Sequence, residues 1–385
     1  MNKNRKSHFL RIHLICILYI LIILFWGLRP FNFRPVNGVK WLNNENGISF
    51  QDSGVVYGPT ANNDSDQNPL FVNEKSISIE IWLTPGPYYH RSFSNIFSLY
   101  DDNQPEIFSF RQVRSSLNIS KYRTPGKKGV THSWRWLGNF FFNGQRRLLT
   151  VTSDKNNTSV YFDGRKVKNF RNYSLMLSKK QTSPSRIVIG NDPSGRQPWR
   201  GKIHGLAIYN HVLYPEQVFE NFELWKNGSA LSLSKEKEIV AFYSMNEKNG
   251  KIIHNAVGNQ FHLSIPVRFK ILKKNFLKLS RDSLKLDGSS LRDMRINILG
   301  FIPLGWLFFR VFNSYNQRLR IQLWRPMLLT VFGGTVISLM IEILQAFLPT
   351  RSSSLTDLIF NSFGTGLGAI LAFVFLKIIN PAHKT

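Results

Sequence analysis

Four apolar runs limit what this chain can become: Ile12–Leu28, Ile296–Phe312, Met327–Leu348 and Leu355–Ile379. A helix crossing a bilayer needs about 20 apolar residues, and the last two runs reach that length. Both carry polar groups that lipid normally excludes. Glu342 and Gln345 lie in the third run, Asp357 and Asn361 in the fourth, with Pro349-Thr350-Arg351 between them. A mid-span Asp costs roughly 2.5–3.5 kcal/mol on insertion scales. Four such groups and an arginine around one short turn read as a built site.

Charge sets the orientation. Lys3, Arg5, Lys6 and Arg11 precede or open the first run, which ends in Trp26, Leu28 and Arg29-Pro30. That ending is unlike the small-residue cleavage site of a signal peptide, so an uncleaved anchor is expected. The second run leads into Arg310, Arg318, Arg320 and Arg325. Basic loops stay on the cytoplasmic side. The expectation is a multi-pass protein of the cell (cytoplasmic) membrane with four spans and both termini cytoplasmic. Residues 35–295 are then extracytoplasmic.

This topology gives the polar residues a depth. A helix rises about 1.5 Å per residue, which puts Glu342 and Asn361 roughly 9 Å inside the outer ends of their runs and Gln345 and Asp357 roughly 3–5 Å. Spacings of three and four place Glu342 with Gln345, and Asp357 with Asn361, on shared helix faces. Asn297 opens the second run, with Asp293 just before it. The expected outer-leaflet polar site is therefore Asn297, Glu342, Gln345, Arg351, Asp357 and Asn361. Gly364 and Gly368 form a Gly-x-x-x-Gly pair on the face of Asn361, suited to close helix packing. Nothing equally polar continues toward the cytoplasm, which argues against a transport path.

The middle of the chain is different. Ser76–Leu83 alternates Ile77, Ile79, Ile81 and Leu83 with Ser78, Glu80 and Trp82, the period of a half-buried strand. Arg147–Thr152, Ser159–Phe162, Arg186–Gly190, Gly201–Tyr209, Glu238–Met245 and Phe261–Ile265 read as further strands. Asp163-Gly164 is a hairpin signal. Tyr214–Trp225 reads as a helix with Pro215 in its first turn. Short strands with turns between them argue a β-sandwich. Cys16 is the single cysteine, so no disulfide can form within the chain. A domain of about 260 residues buries enough surface to do without one.

The net charge is +27, and residues 35–295 hold 37 basic against 21 acidic residues. Outside the membrane, nucleic acid is not an expected partner. Membrane lipids, an anionic envelope glycan or a lipid-linked precursor are.

Two resemblances follow from these residues. Asn297-Ile-Leu-Gly-Phe-Ile-Pro303-Leu-Gly305, Ser338-Leu-Met-Ile-Glu342-Ile-Leu-Gln345 and the stretch Pro349–Gly368 resemble the VanZ-like family. Its prototype is associated with resistance to teicoplanin, which targets a lipid-linked wall precursor. The resemblance implies a place in the envelope and does not carry that activity over. Ile79-Glu-Ile-Trp82, Tyr161-Phe-Asp-Gly164, Ile187-Val-Ile-Gly190, Trp199-Arg-Gly201-Lys-Ile203, Ala207-Ile-Tyr-Asn210 and Tyr214-Pro-Glu-Gln217 resemble a laminin-G or concanavalin A-like jelly roll. Such folds bind carbohydrate or protein, sometimes with calcium, and some relatives hydrolyse glycans.

The expected architecture is a membrane α-helical bundle of four transmembrane helices. An all-β jelly-roll sandwich is inserted between helices 1 and 2. Residues 1–34 form the tail and first span, 35–292 the sandwich, and 293–385 the VanZ-like part. The expected function is an envelope protein whose sandwich binds carbohydrate or another ligand. Its bundle engages a lipid-linked or headgroup species at the outer leaflet, Arg351 pairing a phosphate. The bland alternative is a clamp in which Glu342, Asp357 and Arg351 pair with one another.

The alternative of another class is a membrane-anchored enzyme acting on envelope glycan or lipid-linked sugar. Glycoside hydrolysis wants two carboxylates roughly 5–10 Å apart, and no second acid follows Glu80 in its strand. No catalytic residue is therefore assigned. Asp101, Asp102 and Asp192 are the calcium candidates. Trp134, Trp136 and Trp199 are expected in the core, with stacking on sugar rings as the other reading.

Overall fold

The computed structural model describes residues 3–58, 76–87, 93–101, 106–122, 132–142, 144–175, 185–269, 271, 276–277, 288–319, 324–349, 351 and 353–379. The chain divides into two compact units. One joins Met1–Phe33 to Lys274–Thr385, and the other is Arg34–Lys273.

The second unit is a sandwich of two antiparallel sheets. In chain order the strands are β1 Val39–Trp41, β2 Ile48–Phe50, β3 Val56–Gly58, β4 Ile77–Pro85, β5 Ser94–Tyr100, β6 Phe108–Val113, β7 Ser116–Tyr122 and β8 His132–Leu137. They continue as β9 Arg147–Ser153, β10 Asn157–Phe162, β11 Arg165–Arg171, β12 Arg186–Ile189, β13 Gly201–Tyr209, β14 Ile239–Tyr243, β15 Ile252–Ile253 and β16 Leu263–Ser264. The first sheet runs β1-β2-β13-β4-β9-β10-β11, with β14 also pairing β13. The second runs β15-β16-β3-β12-β5-β6-β7-β8.

Alternation builds the core. Ile79, Ile81, Leu149, Val151, Val160 and Ile208 of the first sheet share one cluster with Phe97, Leu99, Phe108, Phe110, Leu117, Ile119, Ile187 and Ile189 of the second. A second apolar layer covers the outer face of the first sheet. There the helix Pro215–Lys226 lays Val218 and Trp225 against Leu148, Tyr161, Ala207, Tyr209 and Phe242. Within the sandwich, every strand expected from periodicity is present, with ends shifted by a few residues.

The first unit contains four helices long and apolar enough to cross a membrane. With the sandwich helix as α2 (Pro215–Lys226), they are α1 Lys3–Leu28, α3 Gly288–Leu319, α4 Trp324–Ala346 and α5 Leu355–Ile379. The expected boundary at 292/293 falls inside α3. The helix takes in the polar stretch Gly288–Asp293, which apolar content alone had not claimed. The third run reaches Leu348 in sequence, but α4 ends at Ala346. The amides of Phe347 and Leu348 there close turns onto Leu344 and Gln345.

Helices α3 and α5 pack backbone to backbone. A Cβ on Gly364 would lie 2.4 Å from the Ile298 carbonyl oxygen, and one on Gly368 2.0 Å from that of Ile302. Gly305 answers from α3, where a Cβ would lie 2.0 Å from the Thr365 oxygen. Only hydrogen fits at these crossings.

Candidate functional site

The polar residues of the membrane-type unit divide into two sets. Glu342 is 1% exposed. Its Oε2 accepts the backbone N–H of Ser354 at 2.7 Å, and the Ser353 side chain bonds the same carboxylate. Ser353 Oγ in turn accepts the Leu277 amide at 3.2 Å. Asp357 bonds the side chains of Asn297 and Ser354, joining α3 to the start of α5. The Asp357 N–H donates to Ser354 Oγ at 3.3 Å, so Ser354 caps α5. Asn361 Nδ2 donates to Ser338 Oγ at 2.9 Å across α4 and α5. Asn297, Glu342, Asp357 and Asn361 thus meet where α3, α4 and α5 come together.

Gln345 and Arg351 turn elsewhere. Gln345 Nε2 donates to Gly27 O at 2.8 Å. Arg351 Nε and Nη2 donate to Arg29 O at 3.2 and 3.0 Å. Among the described residues Arg351 makes no ion pair with Glu342 or Asp357, so the clamp is not ionic. Neutral donors hold the two carboxylates, and the guanidinium ties down the carbonyl end of α1. The sequence reading did not place Ser338, Ser353 or Ser354 in this site. The last was readable: Ser354-Leu-Thr-Asp357 is a Ser-x-x-acid helix start. Replacing Glu342 by leucine is expected to free the Ser353–Ser354 turn, costing about 1–3 kcal/mol for the orphaned donors. Faster amide exchange at Ser354 in Glu342→Leu, with wild-type exchange in Glu342→Gln, is the measurement.

The sandwich carries a second polar set, on the face of the second sheet turned away from the core. Register lines its side chains into two cross-strand rows, because directly paired residues share a face. One row is Ser98, Ser109, Ser120 and Trp134, on β5, β6, β7 and β8. The other is Asn95, Arg111, Asn118 and Trp136 on the same strands. Asn95, Ser98, Asn118 and Ser120 are each 0% exposed. Arg111 is buried and paired with Glu106, its Nε donating to Asn95 Oδ1 at 2.9 Å. Ser109 Oγ donates to Glu106 Oε1 at 3.1 Å.

The rows end in an aromatic group. Trp134 and Trp136 are 50% and 49% exposed. Their rings lie 6.2 and 5.7 Å from that of Phe93, which also covers the Arg111 guanidinium at 5.4 Å. Core packing was the expectation for both tryptophans. Along β8 they alternate with inward Leu137, and they pair with Asn118 and Ser120 of β7, which places them outward. Trp199 is core, 1% exposed, with Nε1 on Gln112 Oε1 at 2.7 Å.

Other acids are held by hydrogen bonds within the fold. Glu80 is fully buried under α2. It accepts from Thr150, Tyr209, Asn221 and Trp225 at 3.1–3.4 Å. Burial pushes its carboxyl up to about 7, against the pull of those donors. Enclosed by them, it has no opening toward a substrate. Among the calcium candidates, Asp102 lies outside the described residues. Asp192 spends its oxygens on the amides of Ser194, Arg196 and Gln197, the geometry of a turn. Among the described residues no three His, Cys, Asp or Glu side chains cluster as metal ligands.

Comparison with known proteins supplies the context. A family model described as VanZ/LLP1 matches residues 225–376. One described as the concanavalin A-like lectin/glucanases superfamily matches residues 58–219. Solved structures are similar at low identity. The CBM40 of a Ruminococcus gnavus IT-sialidase, bound to α2,3-sialyllactose, is 12% identical, covers 38% of this chain and 82% of its own, and gives a TM-score of 0.32. A heptameric SAP-like pentraxin from Limulus polyphemus is 14% identical over 56% of this chain and 96% of its own, with a TM-score of 0.34. A putative carbohydrate binding protein from Bacteroides ovatus is 11% identical over 62% of each chain, with a TM-score of 0.38. No curated protein matches. The chain is a multi-pass membrane protein that joins a VanZ-like domain to a lectin-like, concanavalin A-like sandwich inserted after its first apolar helix.

Proposed function

We propose that this protein is a glycan receptor of the cell envelope, anchored by its VanZ-like bundle. The sandwich faces outward and both termini face the cytoplasm, as the basic residues around α1 and after α3 favour. The observation that carries the reading is the Phe93–Trp134–Trp136 group. Two half-exposed indoles at the end of polar cross-strand rows suit a sugar, which presents an apolar ring face and a polar rim. The superfamily of the matching family model contains lectins, which supports the same reading. The bundle holds its own polar centre near the outer leaflet, where a lipid-linked sugar would present its head.

The test is a glycan array probed with the full chain in nanodiscs, with and without calcium. Trp134→Ala and Trp136→Ala are each expected to lower retained affinity about tenfold, about 1.4 kcal/mol. An unchanged melting temperature would separate this loss from unfolding. An array on which no glycan is retained would overturn the reading in favour of a protein ligand.

A further inference from the structure

We infer that the sandwich carries a second binding site, a cleft on the outer face of the first sheet that takes a sugar ring bearing one carboxylate or phosphate. It lies on the other sheet from the Phe93–Trp134–Trp136 group and does not depend on it. The cavity holds about 330 Å³. Ligand pockets run from roughly 300 to 1,000 Å³, so this one suits a single ring with its substituents rather than a long chain. Its lining comes from the β1–β2 turn, β4, β13, β14 and the end of α2.

Local backbone geometry opens the cleft. Where β13 runs beside β4, Ile203 pairs Leu83 and Gly205 pairs Trp82, which leaves His204 as the extra residue of a bulge. Bulges re-aim the side chain they release. The His204 ring lines the cleft while only 4% exposed, with Nδ1 3.0 Å from the Asn46 carbonyl oxygen and Nε2 2.8 Å from Thr84 Oγ1. Helix α2 stops at Lys226, and the chain leaves through Gly228 into a 3-10 helix over Ala230–Lys235. The apolar layer on the sheet is therefore incomplete at this end. Trp225 rests on Gly205, where a Cβ would lie 2.3 Å from its ring, and stacks on Phe242 with centroids 5.3 Å apart. Its Nε1 donates to Glu80 at 3.1 Å, which fixes the ring. Buried Trp225, Phe242 and His204 form the floor, with half-buried Trp82 beside them. Leu231, 54% exposed, and the exposed Arg146 and Lys226 stand at the mouth, so the cleft opens to solvent.

Charge selects an acid. Among the described residues the lining contains two cations, Arg146 and Lys226, and no carboxylate. Glu45, outside the lining, is shared by Arg146 and Lys202, and Lys226 pairs with Glu223. One positive charge is left over, which matches one acidic group. His204 adds none near neutral pH, because burial pushes its pKa down to about 4. Arg146 meets Glu45 through Nη2, and its half-exposed guanidinium has further N–H groups for a carboxylate or phosphate. The carbonyl end of α2 would oppose an anion. Three of its last carbonyls, on Glu223, Leu224 and Trp225, are engaged by the amides of Asn227, Ser229 and Gly228. The same guanidinium lies 5.8 Å from the centroid of the Trp82 ring, so an acid held by Arg146 brings its sugar beside an indole. Asn46, Ser244 and Asn246 complete the lining with amides and a hydroxyl. Those groups serve sugar hydroxyls, and a simple aromatic acid would leave them unused.

The experiment is calorimetric titration of the full chain in nanodiscs with glucuronate, glucose phosphate, glucose and benzoate, at low and high salt. The expected result is binding of glucuronate or glucose phosphate that weakens in salt, with glucose and benzoate about tenfold weaker or more. Which of the two acids binds tighter separates a uronate from a sugar phosphate as the source. Arg146→Gln should lower the affinity about tenfold and flatten its salt dependence. Leu231→Trp, at the mouth, should block entry without touching the floor. Arg165→Gln, an exposed cation on β11, and Trp134→Ala should each leave binding unchanged. Glucose or benzoate binding as tightly as the acidic sugars would overturn the assignment. So would an equal loss in Arg146→Gln and Arg165→Gln, which is the mark of diffuse charge. Silence from all four compounds would overturn it as well, while the array and its Trp134 and Trp136 variants still decide the glycan reading.

Discussion

Gly368→Leu is expected to prevent α3 and α5 from closing, and with it accumulation of folded protein in the membrane. A Cβ at this position would lie 2.0 Å from Ile302 O and 2.8 Å from Trp306 N. Both obstacles are backbone, so no rotamer change relieves them. Overpacking within a well-packed interior costs about 1–3 kcal/mol when side chains can shift. With a helix backbone in the way, the helices must separate, and the interhelical packing that holds such bundles together is lost. Asp357 and Asn297, which bond across the same two helices, would part with them. Gly366, where a Cβ would approach nothing closer than a Val331 methyl at 3.8 Å, is the control. Gly366→Ala should behave as wild type in detergent-extracted yield and gel-filtration profile, and Gly368→Leu should aggregate. Equal behaviour of the two would mean the glycine contact is dispensable.

The second large effect belongs to Glu80. Glu80→Leu removes the acceptor of four donors at once, on Thr150, Tyr209, Asn221 and Trp225. Each orphaned donor costs about 1–3 kcal/mol, so the sandwich should lose several kcal/mol. Glu80→Gln keeps an acceptor and removes the titration. Burial holds the folded carboxyl at about 7 against an ordinary 4.5. Between those values the unfolded chain has released a proton that the folded chain keeps. Stability therefore falls as pH rises from 4.5 to 7, by on the order of 3 kcal/mol, and is level above. His204 acts in the opposite sense. Burial depresses it to about 4 from 6.5, so its contribution rises with pH across that window. The informative quantity is the difference between wild type and Glu80→Gln, in which His204 cancels. Melting followed by tryptophan emission should show wild type gaining on the variant as pH is lowered from 7.5 to 5. Parallel profiles would remove Glu80 as a titrating group.

Much of this architecture was readable from pattern. Apolar length marked all four membrane-type helices, and period-two alternation marked β4, because this strand faces a core on one side and a covered surface on the other; β9 and β13 stood out as short β-type segments between turns. The strands β5 to β8 were harder. Their outward residues are Ser, Asn and Arg, which read as loop, and burial of that polar face is a tertiary fact. Trp134 and Trp136 were visible as aromatic residues, but hydrophobicity alone assigned them inward. In the membrane-type unit the polar residues stood out by their cost. Their partners did not: backbone groups such as Gly27 O, Arg29 O and the Ser354 N–H leave no mark in sequence.

The two ends of the sandwich are sewn to each other. Val36 bridges Arg268, the Phe269 amide reaches Pro35 O at 2.9 Å, and Asn37 Nδ2 bonds both Val55 O and Pro266 O. For α1 this changes the distance that matters along the chain. Unfolded, about 260 residues separate it from α3. Once the sandwich has folded and its ends are pinned, the tether is about 26 residues, a tenfold shortening that recovers about 2 kcal/mol of closure entropy. The insert thus behaves as a cassette, and exchanging it for another domain with adjacent termini should leave the bundle able to assemble.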